Sequence, residues 1–127
     1  MTFYGFVAVG IGAALGAWLR WGFGIVLNPL FSSILLGTVA ANLVGGYLIG
    51  MAVEYFLHYD SVSPELRLFV IVGFLGGLTT FSSFSSEAIE LLTDGQVGWM
   101  LVLIATHVLG SLAMTWLGML TVRSLHV

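Results

Sequence analysis

The residues best placed to do chemistry lie in one stretch, Gly73 to Glu87, where glycines give way to hydroxyls: Gly76, Gly77, Thr79, Thr80, Ser82, Ser83, Ser85 and Ser86, interleaved with Phe81 and Phe84. A glycine run followed by hydroxyls makes a poor continuous helix. Carbonyls and amides freed at such a break can hold ions, as discontinuous membrane helices do. A half-helix starting near Thr80 would also aim its positive dipole end at the break. The same composition fits a packing kink whose hydroxyls bond back to their own helix. Phe81 and Phe84, three apart, share a helix face. Phenylalanine in a membrane helix is ordinarily packing, but aromatic edges carry partial positive charge and could touch an anion without binding it tightly.

Other polar residues could complete a path. Asn42 falls inside an apolar stretch, where a buried amide needs partners or water. His107, Ser111 and Thr115 recur at i, i+4 and i+8, one stripe of a helix. That stripe serves either interhelical hydrogen bonding or the wall of a polar vestibule. Arg20, near the end of the first apolar stretch, can snorkel to headgroups or concentrate anions at a mouth. Glu54, Glu87, Glu90 and Asp94 lie toward helix ends and are expected to stay solvated, with Glu87 the one that could pair with an arginine.

These residues sit in a chain of 127 positions that is 59% hydrophobic and only 7% charged. Soluble domains carry about a quarter charged residues, so water is not the main solvent for this surface. About 20 apolar residues cross the hydrocarbon as a helix, and four such stretches account for most of the chain: 4–27, 34–57, 67–92 and 97–122. The expected fold is therefore an all-α integral membrane protein forming one transmembrane domain over 1–127, with no room for a soluble catalytic module. The Asn28-Pro29 pair stops the first span, and Trp18 and Trp21 suit the membrane interface. A polar loop, 58–65, separates the second and third spans, and Thr93-Asp94-Gly95 makes a turn before the fourth. No basic leader or cleavage pattern flanks the first apolar run, so 3–19 reads as a retained helix.

Several function classes are excluded. With no cysteines there are no thiolate metal sites, and His58, His107 and His126 lie far apart without metal-ligand spacing. Three basic side chains, all arginine, make no nucleic-acid footprint. No nucleophile–base pair or nucleotide motif occurs, so an enzyme is not expected.

Small residues are spaced for close helix packing. Gly12, Gly16, Arg20 and Gly24 share one face of the first span, and Thr38, Asn42, Gly46 and Gly50 one face of the second. With four spans, Arg67 and Arg123 fall on one side of the membrane and Arg20 on the other, a weak bias for fixing orientation. Insertion both ways round, and hence an antiparallel pair of identical subunits, is permitted.

The string Gly76-Gly77-Leu78-Thr79-Thr80-Phe81-Ser82-Ser83-Phe84-Ser85 resembles the signature of the small fluoride channels, the Fluc or CrcB family. So do Gly12 to Arg20-Trp21 in the first span, Gly37-Thr38-Val39-Ala40-Ala41-Asn42-Leu43 in the second and His107-Val108-Leu109-Gly110-Ser111 in the fourth. The matches fall in all four spans in order. Ser83 departs from the threonine more common there but keeps the hydroxyl.

The resemblance implies a passive fluoride-selective channel that exports fluoride and lowers its cytoplasmic level. It implies four spans per subunit, the third broken mid-membrane, in an antiparallel homodimer of dual topology with two pores, embedded in the lipid bilayer of a bacterial inner (plasma) membrane. By it, Phe81, Phe84, Asn42, Ser111, Thr115, Thr80 and Ser83 line the fluoride pore, and Arg20, His107 and Thr38 serve the vestibule or support it. It also implies a structural sodium (Na+) at the dimer interface on the backbone carbonyls of Gly76 and Thr79. Two rivals remain: a non-conducting assembly subunit, and a small multidrug-type proton antiporter. The antiporter needs a carboxylate in the first span, and no acidic residue precedes Glu54.

Overall fold

A computed structural model describes residues 2–126. Its helices are α1 (Phe3–Leu27), α2 (Leu36–His58), α3 (Pro64–Arg67), α4 (Gly76–Leu78), α5 (Phe81–Thr93) and α6 (Val97–Leu125), with a 3-10 turn at Asn28–Leu30 and a π-type segment at Leu68–Leu75 joining α3 to α4. No strand occurs among the described residues. Four helical stretches, Phe3–Leu30, Leu36–His58, Pro64–Thr93 and Val97–Leu125, are long and apolar enough to cross a membrane. Large apolar side chains such as Ile25, Leu109, Leu112 and Trp116 stand exposed on the outside. A surface of this kind suits lipid and would aggregate in water.

Local chemistry sets the ends. Thr2 caps α1, its Oγ1 accepting from Gly5 N at 2.9 Å. The third span begins at Pro64, earlier than the apolar pattern suggests, because Ser63 Oγ accepts from Leu66 N and proline suits the first helical position. Leu35 cannot cap α2, so Asn28 does so from the preceding turn, its Oδ1 accepting from Gly37 N at 2.8 Å. Gly95, with φ of 76°, supplies the left-handed residue that ends α5.

The helices pack as two intimate pairs, α2 along α6 and α1 along the π-type segment and α4. Glycine makes both contacts possible. Gly12 faces Gly73 so closely that a Cβ on either would stand 3.1 Å from the other's Cα, and a Cβ on Gly16 would collide with Phe74 O. Gly50 and Gly118 bring α2 and α6 together in the same way, against Thr115 O and Tyr47 O. Both small-residue stripes thus serve packing within the subunit.

Two expectations about charge are corrected. Glu54 is not solvated but 5% exposed, and its Oε1 accepts from Arg123 Nε at 2.9 Å. Glu87 is 6% exposed and is not paired with an arginine; its Oε2 accepts from Leu35 N at 2.8 Å. Burial of a carboxylate demands a partner, and helix packing gives the arginine to Glu54 and a backbone N–H to Glu87. His58 and His126, distant in the chain, stack with ring centroids 5.1 Å apart because α2 and α6 end side by side.

Gly16→Ala should destabilise the folded protein by about 1–3 kcal/mol, since the new methyl overpacks backbone that cannot move aside. Gly22→Ala, with open space around it, should be close to neutral. Thermal unfolding in detergent compares the two, and equal melting temperatures would contradict the packing described.

Candidate functional site

Between α4 and α5 the backbone leaves helical geometry at Thr79 (φ −84°, ψ 155°) and Thr80 (φ −150°, ψ 120°). The helical hydrogen bonds lost there are replaced by side chains. Asn42 of α2 grips Thr80 twice: its Oδ1 accepts from Thr80 N at 2.8 Å and its Nδ2 donates to Thr80 O at 3.0 Å. Thr80 Oγ1 caps α5 by accepting from Ser83 N at 3.1 Å. Gly77 O, freed from Phe81 N by the extended turn, accepts from Arg20 Nε at 3.2 Å. Three side chains on three segments therefore replace one turn of helix.

An open-sided groove of about 370 Å³ lies against this break. Asn42, Thr79, Thr80, Phe81, Phe84, His107 and Ser111 wall it, together with apolar side chains from α2 and α6. Phe84 is 7% exposed, whereas Phe81 is 78% exposed and stands out from the subunit. Their rings meet edge to face, 5.5 Å between centroids and 69° between planes. Phe84 also lies 4.7 Å from the His107 ring. His107 Nδ1 is 3.0 Å from Asn42 Nδ2. Donors, hydroxyls and aromatic edges thus share one wall that holds no charged side chain, an arrangement able to contact a small anion weakly.

The other residues singled out from the sequence lie around this groove. Thr115 does not wall it; its Oγ1 packs beside Gly46 between α2 and α6. Ser83 faces a second groove of about 300 Å³ with Ser82, Ser86, Glu87 and Glu90. Arg20 and Thr38 share a third cavity of about 400 Å³ with Trp21 and Asn28. Arg20 reaches the break through Gly77 O. Sequence reasoning missed that contact, as well as the Asn28 cap and the Tyr47 Oη to Thr121 Oγ1 hydrogen bond of 2.8 Å. Each joins residues far apart in the chain or relies on an ordinary side chain, so no local pattern marks it.

The carbonyls of Gly76 and Thr79 suit a hard cation. In a continuous helix Thr80 N would bond Gly76 O and Ser83 N would bond Thr79 O. Here Thr80 N goes to Asn42 and Ser83 N to Thr80 Oγ1, leaving both oxygens without their helical donors. Among the described residues no three His, Asp or Glu side chains gather to hold a metal ion.

Residues 7–119 match the family model described as CrcB-like protein, Camphor Resistance. The chain is 61% identical over 123 residues to the fluoride-specific ion channel FluC of Nitrosospira multiformis, covering 97% of this chain and 96% of that protein. It is 56% identical over 121 residues to the protein of the same name from Cupriavidus pinatubonensis (95% and 96% covered). With the one from Pseudomonas aeruginosa it shares 56% over 117 residues (92% of each).

Asn42→Ala would leave Thr80 N and Thr80 O, both half-buried, without their partners, at up to about 1–3 kcal/mol for each group. A loss of roughly 2–6 kcal/mol on that scale should appear in detergent unfolding. An unchanged midpoint would show that Asn42 does not hold the break.

Proposed function

We propose, from the premise that this chain belongs to the CrcB-like family, that it is a passive fluoride channel whose path crosses the membrane through the groove at Thr79 and Thr80. It is a multi-pass membrane protein and not an enzyme. The observation that carries the reading is the groove at the break: Asn42, Thr80, Phe81, Phe84, His107 and Ser111 gather in a wall that holds no charged side chain, in a chain otherwise built for lipid.

The chemistry suits a small, strongly hydrated anion. Fluoride entering the groove gives up water and takes hydroxyl and N–H donors together with the positive edges of Phe81 and Phe84. None of these holds it as an arginine would, so the ion can leave as readily as it enters. Arg20, beside a neighbouring cavity with Thr38, raises the local anion concentration, and Ser111 belongs to the polar lining of the groove, while Ser83 lines the adjoining one. In acid, HF crosses the membrane unaided and dissociates inside, trapping the anion. A negative-inside potential of about 100 mV is worth about 2.3 kcal/mol per charge, so a passive path holds cytoplasmic fluoride about fiftyfold below the level outside. No coupling to ATP or protons is needed.

The working unit is an antiparallel homodimer of dual topology in the bacterial inner membrane, with two pores. Phe81, 78% exposed at the edge of an open-sided groove, supports this reading, because a second copy would cover it and close the wall. The third span, broken mid-membrane, then faces its counterpart. A structural sodium between the copies would take the carbonyls of Gly76 and Thr79, supplying a fixed positive charge at the dimer centre.

Liposomes carrying the purified protein should release fluoride rapidly and chloride negligibly. Phe81→Ala and Phe84→Ala should each lower fluoride release severalfold or more while the dimer persists in gel filtration. Folded wild-type protein that releases neither ion would favour an assembly subunit instead. For topology, Ser61→Cys places one thiol in an exposed loop of a cysteine-free chain. An impermeant maleimide should label roughly half the copies from each side of the membrane, and labelling from one side alone would refute dual insertion.

A further inference from the structure

The cavity beside Arg20 holds polar hydrogens that the break does not use. It has a volume of about 400 Å³, and no carboxylate stands among its walls of Arg20, Trp21, Gly24, Ile25, Asn28 and Thr38. Arg20 spends its Nε–H on Gly77 O at 3.2 Å, which leaves its Nη groups free among the described residues. The same guanidinium therefore belongs to the cavity and to the interrupted turn.

Asn28 has a fixed orientation there. Its Oδ1 accepts from Gly37 N at 2.8 Å, and a backbone N–H must have an oxygen, so the amide cannot be turned round. Oδ1 thus faces α2, and Nδ2 faces α1. A Cβ on Gly24, itself part of the cavity wall, would stand 3.3 Å from Nδ2. Nδ2 makes no hydrogen bond among the described residues. The unpartnered side-chain atoms sealed from solvent there are Glu87 Oε1 and His107 Nε2, so Nδ2 on the half-buried Asn28 keeps accessible surface. Thr38 Oγ1 is open in the same way.

We propose that Asn28 presents its Nδ2–H groups to anions entering this cavity, beside Arg20 and Thr38, while its Oδ1 caps α2. The proposal deepens the fluoride reading above and rests on it. Arg20 supplies the positive charge, and Asn28 and Thr38 supply neutral donors with no acidic group beside them. A cavity of about 400 Å³ has room for an ion with its water, so the contact is loose and the ion moves on.

Two substitutions separate the ends of the amide. Asn28→Asp keeps an oxygen for Gly37 N, and Asp serves a helix N-terminus as well as Asn does. It also puts a negative oxygen beside Arg20 where the donor stood. Asn28→Leu removes both ends. If Asn28 only capped α2, Asn28→Asp would be harmless and Asn28→Leu destabilising.

Both variants are compared in detergent unfolding and in liposomes. Asn28→Asp should keep the wild-type unfolding midpoint yet lower fluoride release about fivefold or more, the scale of one unit charge at about 4 Å in water. Asn28→Leu should lower the midpoint as well. A second measurement needs no variant to conduct. The chain has two asparagines, Asn28 and Asn42, so ¹⁵N-asparagine labelling of the full-length protein in lipid gives two side-chain NH₂ signals. That of Asn28 is identified by its loss in either variant. Replacing potassium gluconate with potassium fluoride at constant ionic strength should move the Asn28 signal saturably. An Asn28 signal that fluoride leaves in place, or folded Asn28→Asp protein conducting at the wild-type rate, would overturn the proposal. Wild-type liposomes that release no fluoride would overturn the channel reading itself. The two failures are distinguishable because the Asn28 signal is read without any flux.

Discussion

Backbone N–H and C=O groups have no water to turn to inside a bilayer, so wherever a membrane helix opens, the protein must supply the missing partners. The interrupted turn at Thr79 and Thr80 depends on this requirement being met from outside its own helix. Asn42 acts as one residue of backbone would, accepting Thr80 N–H and donating to Thr80 O. Thr80 Oγ1 restarts the helix, and Arg20 takes the carbonyl of Gly77. The groove exists because these contacts hold the chain extended at that level, and it is polar because the holding groups are polar.

Such reach needs close backbones. Asn42 is short, and it spans the gap to Thr80 only because α2 lies tight against the third span, where Gly45 packs on Thr79 and Leu78. On the other side, Gly12 and Gly16 bring α1 against Gly73, Gly77 and Leu78, placing Arg20 within reach of a freed carbonyl. Packing and polar chemistry here form one device: the glycines set the distances and the side chains use them. In lipid, where apolar burial gives helices no reason to associate, van der Waals contact of this kind supplies the holding force.

Charge is handled in two ways. Away from the groove, buried Glu54 is neutralised by Arg123, which also lies over Trp116. The groove wall has no ion pair and no fixed charge, and relies on neutral donors and ring edges. A wall of dipoles attracts an anion more weakly than a wall of charges would.

The sequence by itself determined the solvent, the span count and where the third helix is weakest. Four apolar runs leave no other use for the chain than crossing a membrane, and the glycine–hydroxyl run places the weak point of the third helix within a few residues, because helix propensity and backbone satisfaction are local matters. Close packing at Gly12, Gly16, Gly46 and Gly50 was legible for the same reason, since a stripe at i, i+4 is a property of one helix. Only the tertiary structure decided which partners the opened backbone and buried charges found. Asn42 was legible as an amide in need of partners, but not as the clamp on Thr80. Glu54 drew Arg123 while Glu87 took the Leu35 N–H, and Thr115 turned from the groove into the α2–α6 seam. Those outcomes depend on the rotation and depth at which helices meet, quantities that no single helix encodes because they are set by the surfaces of two.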